Sequence, residues 1–257
     1  MYCSRCGQQN SDQAQFCQRC GVAIGTAAIV GHGGVYAEPY RSARRLALIL
    51  TILFCIVILI IIIAIVLDLV LINLLSGSYV SSRDMQLNED VQAAIGTFQF
   101  VAFIVTTVFF LIWIYRTHGN LPRLGSRNLQ YSPAWAIAGF FIPFVNLVLP
   151  FLVVQEIWKA SDPRRIDGFS WKDTPLSLRV LFWWILFLVG VIGPLVMIIA
   201  FGGGDEVADV LNWTWARLVF DVLDIPRTIL AILVVRGIVS RQDEKHSSLA
   251  GPAPLAD

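Results

Sequence analysis

LALILTILFCIVILIIIIAIVL, residues 46–67, is an unbroken run of twenty-two residues that contains no charged side chain. A helix needs about 20 predominantly apolar residues to cross the hydrocarbon core of a bilayer. Four further apolar runs follow, and the chain is 56% hydrophobic but only 14% charged, whereas soluble domains carry about 25% charged residues. The sequence therefore predicts an all-α integral membrane protein with a membrane domain at residues 46–238. The predicted helices are about 46–75, 92–115, 134–158, 175–201 and 210–236.

The third run, residues 134–158, differs from the others because Pro143, Asn146 and Pro150 interrupt it. Each proline removes a helical hydrogen bond and permits a bend. Backbone that is broken inside a membrane must be satisfied by protein or by water. We therefore expect four spanning helices and one re-entrant or interfacial segment. The alternative is a kinked fifth span, since 25 mostly apolar residues are long enough to cross.

The distribution of lysine and arginine favours the re-entrant segment. If residues 134–158 enter and leave on the cytoplasmic side, sixteen basic residues lie inside and one, Arg83, lies outside. If all five runs span, the division is eight inside and nine outside. Because basic loops are retained in the cytoplasm, the sequence predicts that both chain ends are cytoplasmic. Residues 239–257 are expected to form a disordered cytoplasmic tail.

The first twenty-one residues contain two Cys-x-x-Cys-Gly turns. Each turn can aim two thiolates at one metal ion, and four cysteines complete the tetrahedral shell of a structural Zn²⁺ site. Disulfides would need an oxidising compartment, and a redox Cys-x-x-Cys would need a thioredoxin-like context. We expect residues 1–21 to form a zinc ribbon, which a flexible linker at residues 22–45 joins to the membrane domain. The expected ligands are Cys3, Cys6, Cys17 and Cys20.

Four ionisable residues follow one another in the last run at spacings of four, three and three: Arg217, Asp221, Asp224 and Arg227. These spacings place them on one helical face. A charge at the centre of a span costs about 2.5–3.5 kcal/mol on insertion scales. We therefore expect Arg217 to pair with Asp221 and Asp224 with Arg227, and Asp221 to be the most buried. The face either lines a path for an ion, a proton or a lipid headgroup, or neutralises itself and sets the register of helix packing.

Glu156 and Trp158 lie at the end of the broken run, ahead of Lys159 and the Arg164-Arg165 pair. These charges could meet anionic lipid headgroups, although the cytoplasmic edge of a span commonly carries such residues. Trp158 is interpreted as part of the interfacial aromatic belt.

Three groups of residues resemble a known family. They are Trp113-Ile114-Tyr115-Arg116 with Asn120-Leu121, then Ser132-Pro133-Ala134-Trp135 with Phe141-Ile142-Pro143-Phe144-Val145-Asn146-Leu147-Val148-Leu149-Pro150 and Gln155-Glu156-Ile157-Trp158, and finally Val234-Val235-Arg236 with Arg241-Gln242. Over about residues 95–245 the chain resembles the bacterial membrane family called domain of unknown function 4328. The resemblance implies a polytopic protein of the bacterial inner membrane, often with an N-terminal zinc ribbon. It implies no reaction.

Sequence patterns of known catalytic sites do not occur: there is no HExxH, no glycine-rich phosphate loop and no GxSxG. We therefore expect a protein that is not an enzyme, and a membrane enzyme ranks third among the hypotheses. The leading hypothesis is a membrane protein whose zinc ribbon binds a cytosolic protein partner in a sensor, scaffold or assembly role. The alternative is a small transporter or channel that uses the charged face of the last helix and the broken run. Nucleic acid is an unfavoured partner because the ribbon has only Arg5 and Arg19 as basic residues.

Overall fold

The computed structural model describes residues 8–11, 17–19, 39–76, 82–165, 170–201 and 207–250. The chain divides into two units, Met1–Pro39 and Tyr40–Asp257. In the second unit the described residues form an all-helical fold. Its α-helices are α1 Arg44–Leu75, α2 Ser82–Asn120, α3 Pro133–Ala138, α4 Leu149–Ala160, α5 Leu178–Phe201 and α6 Val207–Ala250.

Long apolar helices dominate this unit. Leu48, Phe98 and Ile199 lie on their outer faces and expose 63%, 68% and 78% of their surface. Extended apolar surfaces of this kind contact lipid or another protein rather than water. The prediction of a helical membrane protein is therefore confirmed. Three stretches are long and apolar enough to cross a membrane: Arg44–Leu75, Glu89–Leu124 and Leu178–Ile199.

The helices are arranged around α6, which packs between α1 and α5, while α1 packs against α2 on its other side. The short helix α3 contacts α2, and α4 contacts α5. Together they close one end of the bundle, at which α1 and α5 begin and α2, α4 and α6 end. We call this the polar end. Much of the fully buried core lies next to it and consists of Trp113, Ile114, Val153, Val154, Ile157, Val235 and Ile238.

The run at residues 134–158 is broken into α3, a turn and α4. Ser132 caps α3 by accepting a hydrogen bond from Trp135 N at 3.2 Å. Pro150 lies in the first turn of α4, where the missing N–H costs no helical hydrogen bond. Between the helices Phe144 has a φ of 63°, and Val145 N donates to Pro143 O at 2.8 Å. This is a γ-turn with positive φ, a rare and strained conformation.

Both ends of this broken segment lie at the polar end. Gln130 N, which precedes α3, donates to Glu156 Oε2 in the last turns of α4 at 2.6 Å. The chain therefore leaves the bundle close to where it enters. Trp184 of α5 holds the turn between the two helices, because its Nε1 donates to Leu147 O at 3.0 Å. With six and twelve residues, α3 and α4 are each too short to cross a bilayer.

The last helix is longer than the sequence indicated. The expectation of a disordered tail from residue 239 is wrong for residues 239–250, which continue α6. Gln242 and Lys245 are buried there, with 0% and 1% exposure. Gln242 Nε2 donates to Thr117 O, and Lys245 Nζ donates to Ala160 O, each at 2.8 Å. These contacts give the residues beyond the apolar run a packed position.

Two other helices also differ from the sequence-based bounds. α2 begins at Ser82 and ends at Asn120, so it extends beyond the apolar run at both ends. α5 begins at Leu178, because Ser177 fixes its first turn. Ser177 N donates to Gln155 Oε1 at 3.0 Å, and Ser177 O accepts from Leu181 N at 3.0 Å.

Candidate functional site

A cavity of about 660 Å³ lies between α1, α2, α5, α6 and the turn between α3 and α4, and it is partly open, since its lining residues Phe103 and Phe141 are 54% and 69% exposed. Most of its lining is apolar, and eight of the lining side chains are aromatic. On the side nearest the polar end, the ring of Phe110 lies 6.1 Å from that of Phe140 and 5.8 Å from that of Trp183. The volume is typical of small-molecule sites, which occupy about 300–1,000 Å³.

Three of the four predicted charged residues of α6 line this cavity. They are Asp221, Asp224 and Arg227, whereas Arg217 lies outside the lining. Arg227 Nη2 donates to Asp224 Oδ2 at 2.8 Å, as the spacing along the helix predicted. The charged face therefore divides, with three residues at the cavity and one directed elsewhere.

Arg217 pairs with α1, so the predicted pair of Arg217 with Asp221 is wrong. The guanidinium donates two hydrogen bonds to the carboxylate of Asp68, the one from Nε to Oδ2 at 3.1 Å. Gln92 Nε2 of α2 donates to the same carboxylate at 3.1 Å. A bidentate contact of this kind is stronger than a pair on the surface of one helix. Asp68 has 0% exposure while Asp221 is partly exposed, so a carboxylate of α1, outside the predicted set, is more buried than Asp221.

Asp221 is left without a partner. Among the described residues it makes no hydrogen bond and no ion pair, and the charges close enough to act on it are Asp68, Arg217 and Asp224. Arg217 already neutralises Asp68, and Arg227 neutralises Asp224. One negative charge is therefore uncompensated at the cavity wall. An unpaired charge in apolar surroundings is unfavourable, and a proton or a bound cation would remove that cost.

Thr106 of α2 is a second polar group that the cavity leaves unsatisfied. It lines the cavity, exposes 9% of its surface, and its Oγ1 has no hydrogen-bond partner among the described residues. A threonine in a helix can bond the carbonyl four residues earlier, as Thr117 and Thr228 do at 2.8 and 2.7 Å. Because Thr106 does not, its hydroxyl is a buried polar group without a partner beside the cavity.

Two glycines of α5 allow α6 to approach closely beside the cavity. A methyl group on Gly190 would lie 3.2 Å from Asp224 Oδ1. One on Gly193 would overlap the ring of Phe220. Small residues permit close helix contact in membranes. Gly190 and Gly193 therefore set the separation of α5 and α6 at the charged face.

Glu156 lies buried at the polar end and does not face headgroups. It exposes 4% of its surface. Its carboxylate accepts from Gln130 N at 2.6 Å and from Tyr131 N at 3.4 Å, and His118 Nε2 lies 3.1 Å from Oε1. Glu156 therefore ties the loop before α3 to α4, which fixes the point where the broken segment enters the bundle.

Trp158 is half-buried and packs against α6. A methyl group on Gly237 of α6 would lie 2.9 Å from its Cζ3. The guanidinium of Arg241 lies over the indole, 4.8 Å from the ring centroid, at a distance that allows cation–π attraction. Trp158 is thus a contact between α4 and α6. Asn146 is the residue of the broken-segment motif that lines the cavity.

Hydrogen bonds lower the pKa of two carboxyl groups at the polar end. Burial would raise the pKa of Asp162, but hydrogen bonds from Arg164 and the charge of Arg241 outweigh it, so the pKa lies below its ordinary value. Arg164 donates from its backbone N and from Nε, each at 3.1 Å. Burial would also raise the pKa of Asp243, but hydrogen bonds outweigh it and the pKa is lowered. One of them comes from the Tyr40 hydroxyl, which donates to Oδ1 at 2.6 Å.

Three of the four predicted zinc ligands lie outside the described residues: Cys3, Cys6 and Cys20. Cys17 is buried. Asn10 Nδ2 donates to Cys17 Sγ at 3.6 Å, and Asn10 Oδ1 accepts from Gln18 N at 3.0 Å. Donors to sulfur of this kind suit a thiolate that binds metal. Within the part of the chain that is described, no three metal-ligating residues come together.

A family model described as Domain of unknown function (DUF4328) matches residues 77–240, more than half of the chain. The chain belongs to this family. The predicted resemblance is thereby confirmed, and the DUF4328 match includes the broken segment, Thr106 and Asp221. Asp68 on α1 and Lys245 near the end of α6 lie outside it. No curated protein and no solved structure matches the chain.

Several residues of these sites were not predicted from the sequence. Asp68 could not be paired with Arg217 because the two are 149 positions apart. Nothing in the sequence marks Thr106, because whether a threonine bonds the carbonyl four residues earlier depends on its side-chain rotamer. Gln242 and Lys245 did have one: together with Ile238 they continue one helical face at spacings of four and three.

Proposed function

We propose that the membrane domain is a small transporter or channel whose binding site is the cavity. The observation that carries this proposal is the carboxylate of Asp221, which has no partner and lines a cavity of about 660 Å³. Asn146 of the broken segment lines the same cavity. A broken helix opposite a charged span, with the site between them, is a recurring transporter arrangement. This favours a functional role of the charged face over a purely structural one.

We further propose that α1, α2, α5 and α6 span a bacterial inner membrane and that α3 and α4 form a re-entrant segment. Sixteen basic residues then lie on the cytoplasmic side and one outside, in agreement with the positive-inside rule. The contact of Gln130 with Glu156 supports re-entry over a kinked fifth span. The charges of α6 are compatible with spanning, since Arg217 and Arg227 are both paired. Both chain ends are then cytoplasmic.

Thiol labelling tests whether small solutes reach the cavity. In a chain that also carries Cys55→Ala, we expect N-ethylmaleimide to modify Thr106→Cys, because maleimide reacts with a thiolate and a thiolate forms only where water is present. Val108→Cys is the matched control, since Val108 is 50% exposed on the same helix but lies outside the cavity lining. Peptide mapping by mass spectrometry identifies the modified cysteine. Equally low modification at both positions would contradict an accessible cavity.

Proton flux into proteoliposomes tests transport itself. An unpaired carboxylate inside a span is a typical proton-relay residue, so we expect pyranine to report a flux that falls in Asp221→Asn. Asp209→Asn removes a carboxylate from the same helix outside the cavity lining and should leave the flux unchanged. The same flux in both variants would contradict transport through this site.

We propose a second, separate role for the N-terminal residues, as a structural zinc ribbon that binds a cytosolic protein partner. The hydrogen bonds that join Asn10 to Cys17 and Gln18 support this, because they hold a sulfur in a polar setting. Four cysteine ligands leave no open position, so Zn²⁺ would fold the segment rather than catalyse. The ligands would be Cys3, Cys6, Cys17 and Cys20.

Zinc analysis and affinity capture test this second role. The purified chain should hold about one zinc ion, and Cys3→Ser should lose both the metal and a partner captured with the wild-type chain. Cys55→Ser is the control, because Cys55 lies on α1 outside the ribbon. A wild-type chain without zinc, or a partner retained by Cys3→Ser, would contradict the role.

A further inference from the structure

We propose that the cavity binds an organic cation with an apolar body and that Asp221 supplies its counter-charge. This rests on the proposed function, because it names the substrate class of the same cavity. Among the described residues, two arginines, Arg217 and Arg227, match the three carboxylates of Asp68, Asp221 and Asp224, and each arginine is paired with one carboxylate. The remaining carboxylate lines the cavity. A monovalent cation in the cavity therefore makes the charge balance complete.

The aromatic lining indicates what kind of cation fits. Eight aromatic side chains line the cavity, and rings of this kind offer a large apolar contact surface to the body of a ligand. Trp184 and Phe187 stack with centroids 4.8 Å apart, and Phe110, Phe140 and Trp183 extend this surface towards α2 and the broken segment. A cation with an apolar body would contact these rings while its charge lies near Asp221.

Other ion classes fit this lining less well. A hard metal ion requires about six oxygen ligands at short range, and the lining of this cavity is predominantly apolar. An anion would need a cationic group with uncompensated charge at the wall, but the charge of Arg227 is neutralised by Asp224, whose Oδ2 lies 2.8 Å from Nη2. The uncompensated charge at the wall is negative, so it repels anions.

Thr106 adds an independent indication of a ligand. Thr106 lines the cavity, and its Oγ1 is buried without a hydrogen-bond partner among the described residues. A buried hydroxyl without a hydrogen bond is unfavourable, and a change of its rotamer would turn it towards a ligand that carries an N–H or O–H group. Thr106 belongs to α2 and Asp221 to α6, so a ligand that reaches both lies across the cavity.

Equilibrium binding to the full chain in nanodiscs of zwitterionic lipid tests the proposal. The probes are tetraphenylphosphonium and tetraphenylborate, which have similar size and shape but opposite charge, with binding to empty nanodiscs subtracted. We expect saturable phosphonium binding that is at least about tenfold tighter than borate binding, because a buried charge partner governs affinity. Asp221→Asn should weaken phosphonium binding about tenfold or more and should not weaken borate binding. Asp221→Glu should retain phosphonium binding, and Asp209→Asn should match the wild type.

The outcomes separate this proposal from the proposed function. Equal binding of the two ions, or phosphonium binding that is unchanged in Asp221→Asn, would overturn the proposal that the cavity binds an organic cation. If maleimide still modifies Thr106→Cys in that case, the cavity remains a ligand site and the proposed function stands. If neither ion binds and Thr106→Cys is unmodified, both proposals fail. Size-exclusion chromatography shows whether Asp221→Asn is folded, and Asp221→Glu provides a second, conservative variant.

Discussion

Replacing Asp68 and replacing Arg217 should lower the free energy of unfolding by different amounts. Asp68→Leu leaves the guanidinium of Arg217 unpaired, with 31% of that side chain exposed. Arg217→Met leaves the carboxylate of Asp68, which is 0% exposed and keeps only the hydrogen bond from Gln92 among the described residues. Removing one member of a buried ion pair costs about 3–5 kcal/mol. We expect about 3 kcal/mol for Asp68→Leu and about 4–5 kcal/mol for Arg217→Met.

The double variant Asp68→Leu/Arg217→Met should recover most of the loss. Replacing a buried pair by apolar residues of similar volume is often nearly neutral, so its free energy of unfolding should lie within about 1 kcal/mol of the wild type. SDS titration in mixed micelles, followed by the fluorescence of the eight tryptophans, measures all four proteins. Arg236→Met, at an exposed residue of α6, is the control and should change stability by less than about 0.5 kcal/mol.

Two results would refute this account of the pair. If the costs of the single variants add in the double variant, the residues do not interact. If Asp68→Leu costs more than Arg217→Met, the exposure of the residue left behind does not decide the penalty.

Further predictions concern helix packing and the polar end. Gly193→Ala should cost about 1–3 kcal/mol in the same titration, because the added methyl group overlaps the Phe220 ring; Gly96→Ala, whose methyl group would have no neighbour within 4 Å, should be neutral or stabilising. Gln242→Leu should speed amide hydrogen exchange in residues 239–250 and cost about 1–3 kcal/mol, since it leaves buried hydrogen-bonding groups unsatisfied. The pKa of Asp162 is lowered on folding, so its stabilisation is present above the unfolded pKa of about 4 and is lost as pH falls through the lower folded pKa. Unfolding measured from pH 6 to pH 3 should therefore show a steeper loss for the wild type than for Asp162→Asn.

The main features of the fold follow from local properties of the sequence. An apolar run as long as residues 46–67 has few stable arrangements other than a membrane helix, so α1 could be placed closely. Pro143 and Pro150 could likewise be identified as a break in the helix, because proline disrupts the helical hydrogen bonds of its own neighbours. The γ-turn at Phe144, in contrast, depends on how α3 and α4 are held, and no local pattern indicates it.

The partners of polar residues depend on tertiary structure and were predicted less well. Helical spacing correctly paired Asp224 with Arg227 but also suggested Asp221 for Arg217, since spacing considers one helix alone. Asp68 on α1 offers Arg217 a better geometry, and this frees Asp221 for the cavity. Glu156 was assigned to the membrane edge because its neighbours in sequence are basic. Its burial results from the loop that folds over it, which sequence spacing does not describe.

The single helix α6 runs from the cavity to the polar end, so a bend in it moves both. Residues 221 to 245 form one stretch of helix about 36 Å long, and Pro226 lies within it. Since proline has no N–H, the carbonyl of Val222 lacks its helical donor, so α6 bends most easily beside the cavity. A tilt of about 5° at Pro226 would move the residues around Lys245, about 28 Å further along the helix, by about 2–3 Å. Tyr40, whose ring stacks on that of His246 with centroids 4.4 Å apart, would follow this displacement.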